Sequence, residues 1–201
     1  LLCSQGNIIN VCDANVLERN LLLTLELLEF GANPILAINF SDEIKKRKIS
    51  YNYNILSSLL GCKVITCDNV SRSKLIEEFI HNKARKVDLP YLKLLPINNI
   101  ISILTPNQIT LLGRRKNYIA IKLLEQDEFV KGKLELTNEQ KTKLSKIVLE
   151  KDYVTMLARL RFDYIKDLLS KCQTVEKKST YGKFAIDKIV LNKYLCLPIF
   201  L

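Results

Sequence analysis

A chain of 201 residues has room for one large domain or two small ones with a substantial core. Its 48% hydrophobic and 26% charged residues, with only six Gly and five Pro, exclude a disordered or low-complexity protein. No apolar run is long enough to span a bilayer. The net charge of +10 is uneven, because residues 1–80 carry −1 and residues 81–201 carry +11. This asymmetry predicts two parts with different neighbours.

The first 80 residues alternate between short apolar runs, typical of strands, and periodic segments, typical of helices. A helix begins near Asn15, which with Glu18 suggests a capping box, and Gly31 ends it. Short connections between such elements predict an α/β fold with a parallel sheet. The predicted strands are 8–12, 34–40 and 63–67, and the further helices are 43–48, 53–60 and 74–80.

Beyond a connector at 84–96, every pattern is helical, so the fold class is α/β followed by all-α. Thr137 and Gln140 form a second capping box, and Arg161 interrupts the apolar face of the longest helix. We interpret the acidic cluster Glu125, Asp127 and Glu128 as a solvated helix end. The predicted helices are 117–129, one starting at Thr137, 152–172 and 184–195.

The cysteines indicate no metal site, because no C-x-x-C pair occurs and His81 is the single histidine of the sequence. Cys12 and Cys67 lie in apolar runs and are predicted to be buried as small hydrophobic residues in a reducing compartment.

The sequence Asn39-Phe40-Ser41-Asp42 follows the second predicted strand. Ligands of open parallel sheets bind beyond the carboxyl ends of the strands. A carboxylate there can accept two parallel hydrogen bonds from the N1–H and N2–H₂ edge of guanine, which adenine does not offer. Asp42 is therefore a candidate for guanine recognition, with Asn39 holding the loop and contacting the ring. Ordinary turn and capping chemistry is the alternative explanation.

The chain resembles the ferrous iron transport protein B family over nearly its whole length. The segments that carry the resemblance are VCDANVLERNLLLT (11–24), the N-x-x-D at 39–42, LSSLLG (56–61), AIKLLEQDE (120–128), ARLRFDYI (158–165) and AIDKIVLNKYLCLPIFL (185–201). The family usually has Met where Phe40 stands, and an apolar residue there can still pack under the base loop.

The resemblance implies the cytosolic GTP-binding portion of a GTP-dependent Fe(II) transporter, at the cytoplasmic face of a bacterial inner membrane. Residues 1–83 would be the C-terminal half of a P-loop-GTPase-like sheet, 84–180 a helical domain that responds to nucleotide state, and 181–201 a juxtamembrane helix before a first transmembrane segment. The implied partners are GTP or GDP, the rest of the transporter with its membrane domain, and an anionic membrane surface, but not nucleic acid.

Other family features are missing from these residues. No G-x-x-x-x-G-K-[ST] phosphate loop, effector-loop Thr or D-x-x-G is found, so we expect the chain to start after the catalytic half and to lack Mg²⁺ ligands. After the third strand, Asp68 and Asn69 stand where the family has a Ser-Ala-like loop, and both are candidate contacts to the base. Asp68 would bring an acceptor near another acceptor unless it turns to solvent, and ordinary loop variation is the favoured alternative.

Two other classes of function remain open. A catalytically inactive fragment could act only as a helical interaction module. A basic nucleic-acid-binding protein is disfavoured because no helix-turn-helix, RNA-recognition or zinc signature is present.

Overall fold

The computed structural model describes residues 8–68, 72–80, 87–112 and 115–175. Within them, a parallel sheet is followed by a helical region. The strands are β1 (Ile9–Asp13), β2 (Ile35–Asn39), β3 (Ile49–Tyr51), β4 (Lys63–Thr66) and β5 (Gln173–Val175). The α-helices are α1 (Leu17–Glu29), α2 (Ser41–Lys46), α3 (Tyr53–Leu60), α4 (Arg72–Ile80), α5 (Ile97–Ile103), α6 (Pro106–Leu112), α7 (Lys116–Leu124), α8 (Glu128–Leu134), α9 (Asn138–Glu150) and α10 (Tyr153–Cys172).

The predicted parallel sheet is confirmed, with the strand order β1-β2-β4. β2 lies in the centre, and its residues 35–38 are all buried, as expected for a strand covered on both faces. The register places Asp13 at the end of β1 opposite Asn39 at the end of β2. The polar ends of these strands therefore meet at the carboxyl edge of the sheet.

Helix α1 packs its predicted apolar face into the core. The buried side chains are Leu17, Leu21, Leu25 and Leu28. Gly31 follows the helix with φ at 82°, a left-handed conformation that costs glycine nothing and ends the helix. The predicted stop signal is therefore confirmed.

The predicted capping box of Asn15 and Glu18 is wrong. Residues 14–16 form a short 3-10 helix instead, and the Asp13 side chain caps it by accepting the Asn15 N–H at 2.7 Å. This earlier cap moves the start of α1 to Leu17. The Thr137–Gln140 capping box is confirmed at the start of α9.

Two short strands were not predicted from the sequence. β3 and β5 pair antiparallel, and the Asn52 N–H donates to the carbonyl oxygen of Cys172 at 2.8 Å beside them. Three residues are too few to show an alternating pattern, which is why this pairing was missed. It joins the end of α10 to the sheet-containing half, so the expectation that only helices follow residue 84 is wrong.

One predicted helix is divided in two. Gln126 adopts a left-handed conformation with φ at 60°, and Asp127 then caps α8 by accepting the Val130 N–H at 2.9 Å. The range 117–129 therefore spans α7 and the start of α8. The predicted helix at 184–195 lies outside the described residues. Among the described helices, none is both long and apolar enough to cross a membrane.

The predicted burial is confirmed for Cys12 and wrong for Cys67. Cys12 is fully buried in the core, and this burial raises the pKa of its thiol to about 11. Cys67 is only partly buried, at the end of β4.

A buried ion cluster joins the two halves, and it corrects the interpretation of Arg161 as a flaw in an apolar face. The Arg161 Nε and one terminal nitrogen donate to the two Glu29 oxygens at 2.9 and 2.6 Å. The other terminal nitrogen donates to Glu125 Oε1 at 3.0 Å. The Tyr91 hydroxyl also donates to Glu29 Oε1, at 2.6 Å. Arg161 of α10 thus connects α1 with the end of α7.

The acidic cluster at 125–128 is correspondingly not one solvated surface. Glu125 is largely buried, and it binds Lys122 at 2.6 Å as well as Arg161. Glu128 is exposed, as predicted, and pairs with Lys131 at 2.7 Å. Only part of this segment therefore serves as a solvated helix end.

Replacing Arg161 by Met is expected to lower the free energy of unfolding by about 3 kcal/mol or more, because the Glu29 carboxylate would remain buried without its cation. Arg159→Met, on the exposed side of the same helix, is the matched control and should change it by less than about 0.5 kcal/mol. Urea unfolding measures both. Equal effects of the two substitutions would contradict a structural role for the Arg161 cluster.

Candidate functional site

The carboxyl edge of the sheet gathers the polar residues singled out in the sequence. Asp13 ends β1 beside Asn39 at the end of β2. The Cys67 N–H donates to the Ile38 carbonyl at 2.7 Å, which places the next residue, Asp68, beside the start of α2. The edge therefore brings together three of the loops that follow parallel strands, where ligands of such sheets bind.

The turn after β2 has an unusual backbone. Phe40 is left-handed, with φ at 59° and ψ at 28°, a conformation that is costly for a bulky side chain. The Asn39 side-chain oxygen accepts the Phe40 N–H at 3.0 Å and so supports this turn. The Phe40 ring is 44% exposed. It therefore offers an apolar surface next to the turn.

Asp42 lies in the first turn of α2, where the side chain is 57% exposed. Lys45 donates to its Oδ1 at 2.8 Å, and this hydrogen bond with the Asp42 charge raises the pKa of the Lys45 ammonium. An exposed ion pair of this kind is weak and readily rearranged. The Asp42 carboxylate is thus accessible to a ligand at the sheet edge.

Asp68 reaches across from the loop after β4 to the start of α2. Its Oδ2 accepts the Ser41 N–H at 2.9 Å and also a short hydrogen bond from the Ser41 hydroxyl. The bond from the Ser41 hydroxyl is the main reason why the pKa of the Asp68 carboxyl lies below its ordinary value. Contact between Asp68 and a base stays a prediction. Asn69, the other candidate, lies outside the described residues.

A second bridge reaches α2 from β1. Asp13 accepts hydrogen bonds from the Asn15 backbone at 2.7 Å and from its side-chain amide at 3.0 Å. The same Asn15 amide donates to Glu43 Oε2 at 3.2 Å. Asp13 thus caps the short 3-10 helix, and through Asn15 it also contacts α2.

The described residues contain no group of three or more His, Cys, Asp or Glu side chains that could hold a metal ion. The sequence likewise holds no phosphate-loop string.

Similar solved structures include NFeoB from S. thermophilus with guanine nucleotides bound. The mGMPPNP-bound NFeoB from S. thermophilus is 26% identical with a TM-score of 0.72, over 89% of this chain and 72% of that one. NFeoB from S. thermophilus bound to GDP·AlF₄⁻ and K⁺ is 27% identical, also with a TM-score of 0.72, over 84% of this chain and 71% of that one. The sheet and helices described above are thus those of a FeoB G-domain followed by a helical domain.

Two family models match in tandem. The model described as ferrous iron transport protein B matches residues 2–82, and the model of the FeoB cytosolic helical domain matches residues 96–174. The chain belongs to the ferrous iron transport protein B family, as the resemblance in the sequence indicated.

Curated relatives agree with this assignment. The Fe(2+) transporter FeoB of Escherichia coli strain K12 is 34% identical over 206 residues, and that of Salmonella typhimurium is 33% identical over 206 residues. The FeoB of Legionella pneumophila strain Lens is 32% identical over 200 residues. Each alignment includes 96% of this chain but only 26% of the relative, so the chain spans about a quarter of their length.

Neither the burial of Ser41 nor its contact with Asp68 was predicted from the sequence. Ser41 is 1% exposed, although a serine at a strand-to-helix turn gave no sign of burial. The one signal in the sequence was the acidic residue Asp68 in the loop after β4, where a second hydrogen-bond acceptor beside a guanine base would be unfavourable. In the structure, the Asp68 carboxylate accepts two hydrogen bonds from Ser41.

Asp68→Asn is expected to lower the melting temperature at pH 7, and the difference from the unaltered chain is expected to shrink as the pH falls below about 4. The folded-state pKa of Asp68 is depressed, so its contribution to stability is present above an unfolded-state value of about 4 and is lost as the pH falls through the folded-state value. Thermal melts of both proteins from pH 2.5 to 7 measure this. A difference that stays the same size over the whole pH range would show that the charge of Asp68 is not responsible.

Proposed function

We propose that this chain is the guanine-nucleotide-binding portion of a GTP-dependent Fe(II) transporter, and that Asn39 and Asp42 recognise the base. The observation that carries the proposal is the accessible Asp42 carboxylate, held by α2 beside the loops that follow β2 and β4. The nucleotides named for the similar NFeoB structures support the same ligand class.

The chemistry of the edge favours guanine over adenine. The two Asp42 oxygens can accept hydrogen bonds from N1–H and N2–H₂ of guanine, whereas adenine has no such pair of donors on that edge. On binding, the Lys45 ammonium would either stay hydrogen-bonded to one Asp42 oxygen or turn into solvent. Asn39 supports the turn through its oxygen, which leaves its amide nitrogen as the donor for a ring nitrogen.

Phe40 is the apolar member of the proposed site. Its ring is 44% exposed beside the N-x-x-D turn, so it can pack against the face of a purine. Asp68 and Asn69 complete the set of candidate base contacts, with the Asp68 carboxylate already engaged by Ser41.

Phosphate binding, Mg²⁺ coordination and hydrolysis need groups that these residues do not supply. When bound, Mg²⁺ would neutralise charge on the phosphates. In our proposal, residues 1–83 contribute the base-binding half of the nucleotide domain, and 84–180 form the helical domain that responds to the nucleotide. Residues 181–201 would lead towards the membrane.

The remaining parts of the proposal concern the whole transporter. Its membrane domain is the proposed partner, its place is the cytoplasmic face of the inner membrane, and Fe(II) is its substrate. The excess of basic residues after position 80 suits the anionic lipid surface on that side. The alternative is an inactive fragment that acts as a helical interaction module. The Arg161 cluster, which packs the helical half onto α1, favours a helical half that folds together with the sheet-containing half and not by itself.

Asp42→Asn is expected to exchange guanine preference for xanthine preference. The amide presents a donor where the carboxylate presents an acceptor, and the 2-oxo group of xanthine accepts where the 2-amino group of guanine donates. Titration of guanosine, xanthosine and adenosine, followed by amide chemical shifts in the 201-residue chain, measures the three affinities.

The matched control is Asp167→Asn, an exposed carboxylate that also pairs with a lysine one turn away. It should leave all three affinities unchanged. Guanosine binding no tighter than adenosine binding in the unaltered chain would contradict the proposed base recognition.

GTP hydrolysis by the isolated 201-residue chain is expected to remain at background, because no phosphate loop is present to bind the β- and γ-phosphates. Phosphate release with and without Mg²⁺ measures it. Mg²⁺-dependent turnover that Asp42→Ala abolishes would show that the chain holds a complete catalytic site.

A further inference from the structure

The loop that carries the proposed base-binding residues needs support from outside itself. Phe40, between Asn39 and Ser41, is held in a left-handed conformation that non-glycine residues rarely adopt. Such a conformation persists only where the surroundings impose it. The Asn39–Phe40 hydrogen bond acts within the turn, so the position of the turn must be set by other contacts.

Asp68 supplies such a contact. Its Oδ2 accepts both the backbone N–H and the hydroxyl of Ser41, and Ser41 is almost completely buried. Hydrogen bonds to a charged acceptor are stronger than those between neutral groups, and both converge here on one oxygen. The loop after β4 is thereby tied to the residue immediately before Asp42.

A contact on the β1 side complements this one. Glu43 accepts the Asn15 amide at 3.2 Å, and Asn15 is itself held by Asp13. Asp42 therefore stands between two residues, Ser41 and Glu43, that are each bonded to a different neighbouring loop. The Asp42 side chain is hydrogen-bonded to Lys45 within the same helix, and this bond does not set the position of α2 relative to the sheet.

We propose that Asp68 is a positioning residue for guanine recognition: by accepting both hydrogen bonds of Ser41, it sets where the Asp42 carboxylate meets the base. This inference rests on the proposed function. A direct contact between Asp68 and the base is the less favourable role, since its carboxylate would face the O6 acceptor of guanine. Asp68 then acts on specificity through Ser41.

The test compares guanosine and adenosine binding to the 201-residue chain and to Asp68→Ala, by amide chemical-shift titration. The expected result is a loss of about tenfold in guanosine affinity with little change for adenosine, because only guanine uses the Asp42 carboxylate. Ser41→Ala removes the hydroxyl donor alone and should give a smaller loss in the same direction. If Asp68→Ala fails to fold, Ser41→Ala alone tests the positioning role.

Asp152→Ala is the matched control, because Asp152 caps α10 by accepting the Thr155 N–H at 3.1 Å in a comparable way. It should reduce stability and leave the ratio of guanosine to adenosine affinity unchanged. Asp68→Asn keeps one side-chain oxygen as acceptor and is expected to restore part of the ratio lost in Asp68→Ala.

The outcomes separate the two proposals. If the unaltered chain fails to prefer guanosine, the proposed function falls and this inference falls with it. If the unaltered chain prefers guanosine and Asp68→Ala keeps the same ratio, only the positioning role is overturned. A ratio that falls equally in Asp152→Ala would also overturn it, since the effect would then come from stability alone.

Discussion

The buried pair of Arg161 and Glu29 is the interaction on which the rest of the structure depends. Both Glu29 oxygens and three nitrogens of the guanidinium are engaged, the third nitrogen by Glu125. A buried charge is tolerated only when its partners satisfy it. Because these partners come from α10, α1 and the end of α7, folding of the cluster requires the sheet-containing half and the helical half to assemble together.

The same elements connect the cluster to the carboxyl edge of the sheet. α10 continues into β5, which pairs with β3, and β3 follows α2 with its N-x-x-D turn. In the other direction, α1 begins beside the 3-10 helix capped by Asp13, and Asn15 bonds to Glu43 of α2. The proposed base site is thus linked to the helical half by two routes, one through β3, β5 and α10 and the other through Asn15 and α1. The response of the helical half to nucleotide, as proposed above, would need a connection of this kind.

The sequence predicted the parallel sheet, the apolar face of α1 and the polar edge beyond β2, because these follow from local periodicity and turn chemistry. It did not predict contacts between distant residues. In the sequence, Arg161 only interrupts the apolar face of a helix, because its partner Glu29 lies 132 residues away. Likewise, the sequence does not show that the Asp68 carboxylate accepts hydrogen bonds from the backbone N–H and the hydroxyl of Ser41. β3 and β5 depend on each other, and neither has a pattern of its own.

The most direct test of guanine recognition is a crystal structure of the 201-residue chain with guanosine. We expect the base beside Phe40, with the two Asp42 oxygens about 2.9 Å from N1 and N2 of guanine and with Ser41 still hydrogen-bonded to Asp68. A guanosine molecule bound elsewhere, or bound here with Asp42 still directed only to Lys45, would contradict the assignment of the N-x-x-D motif.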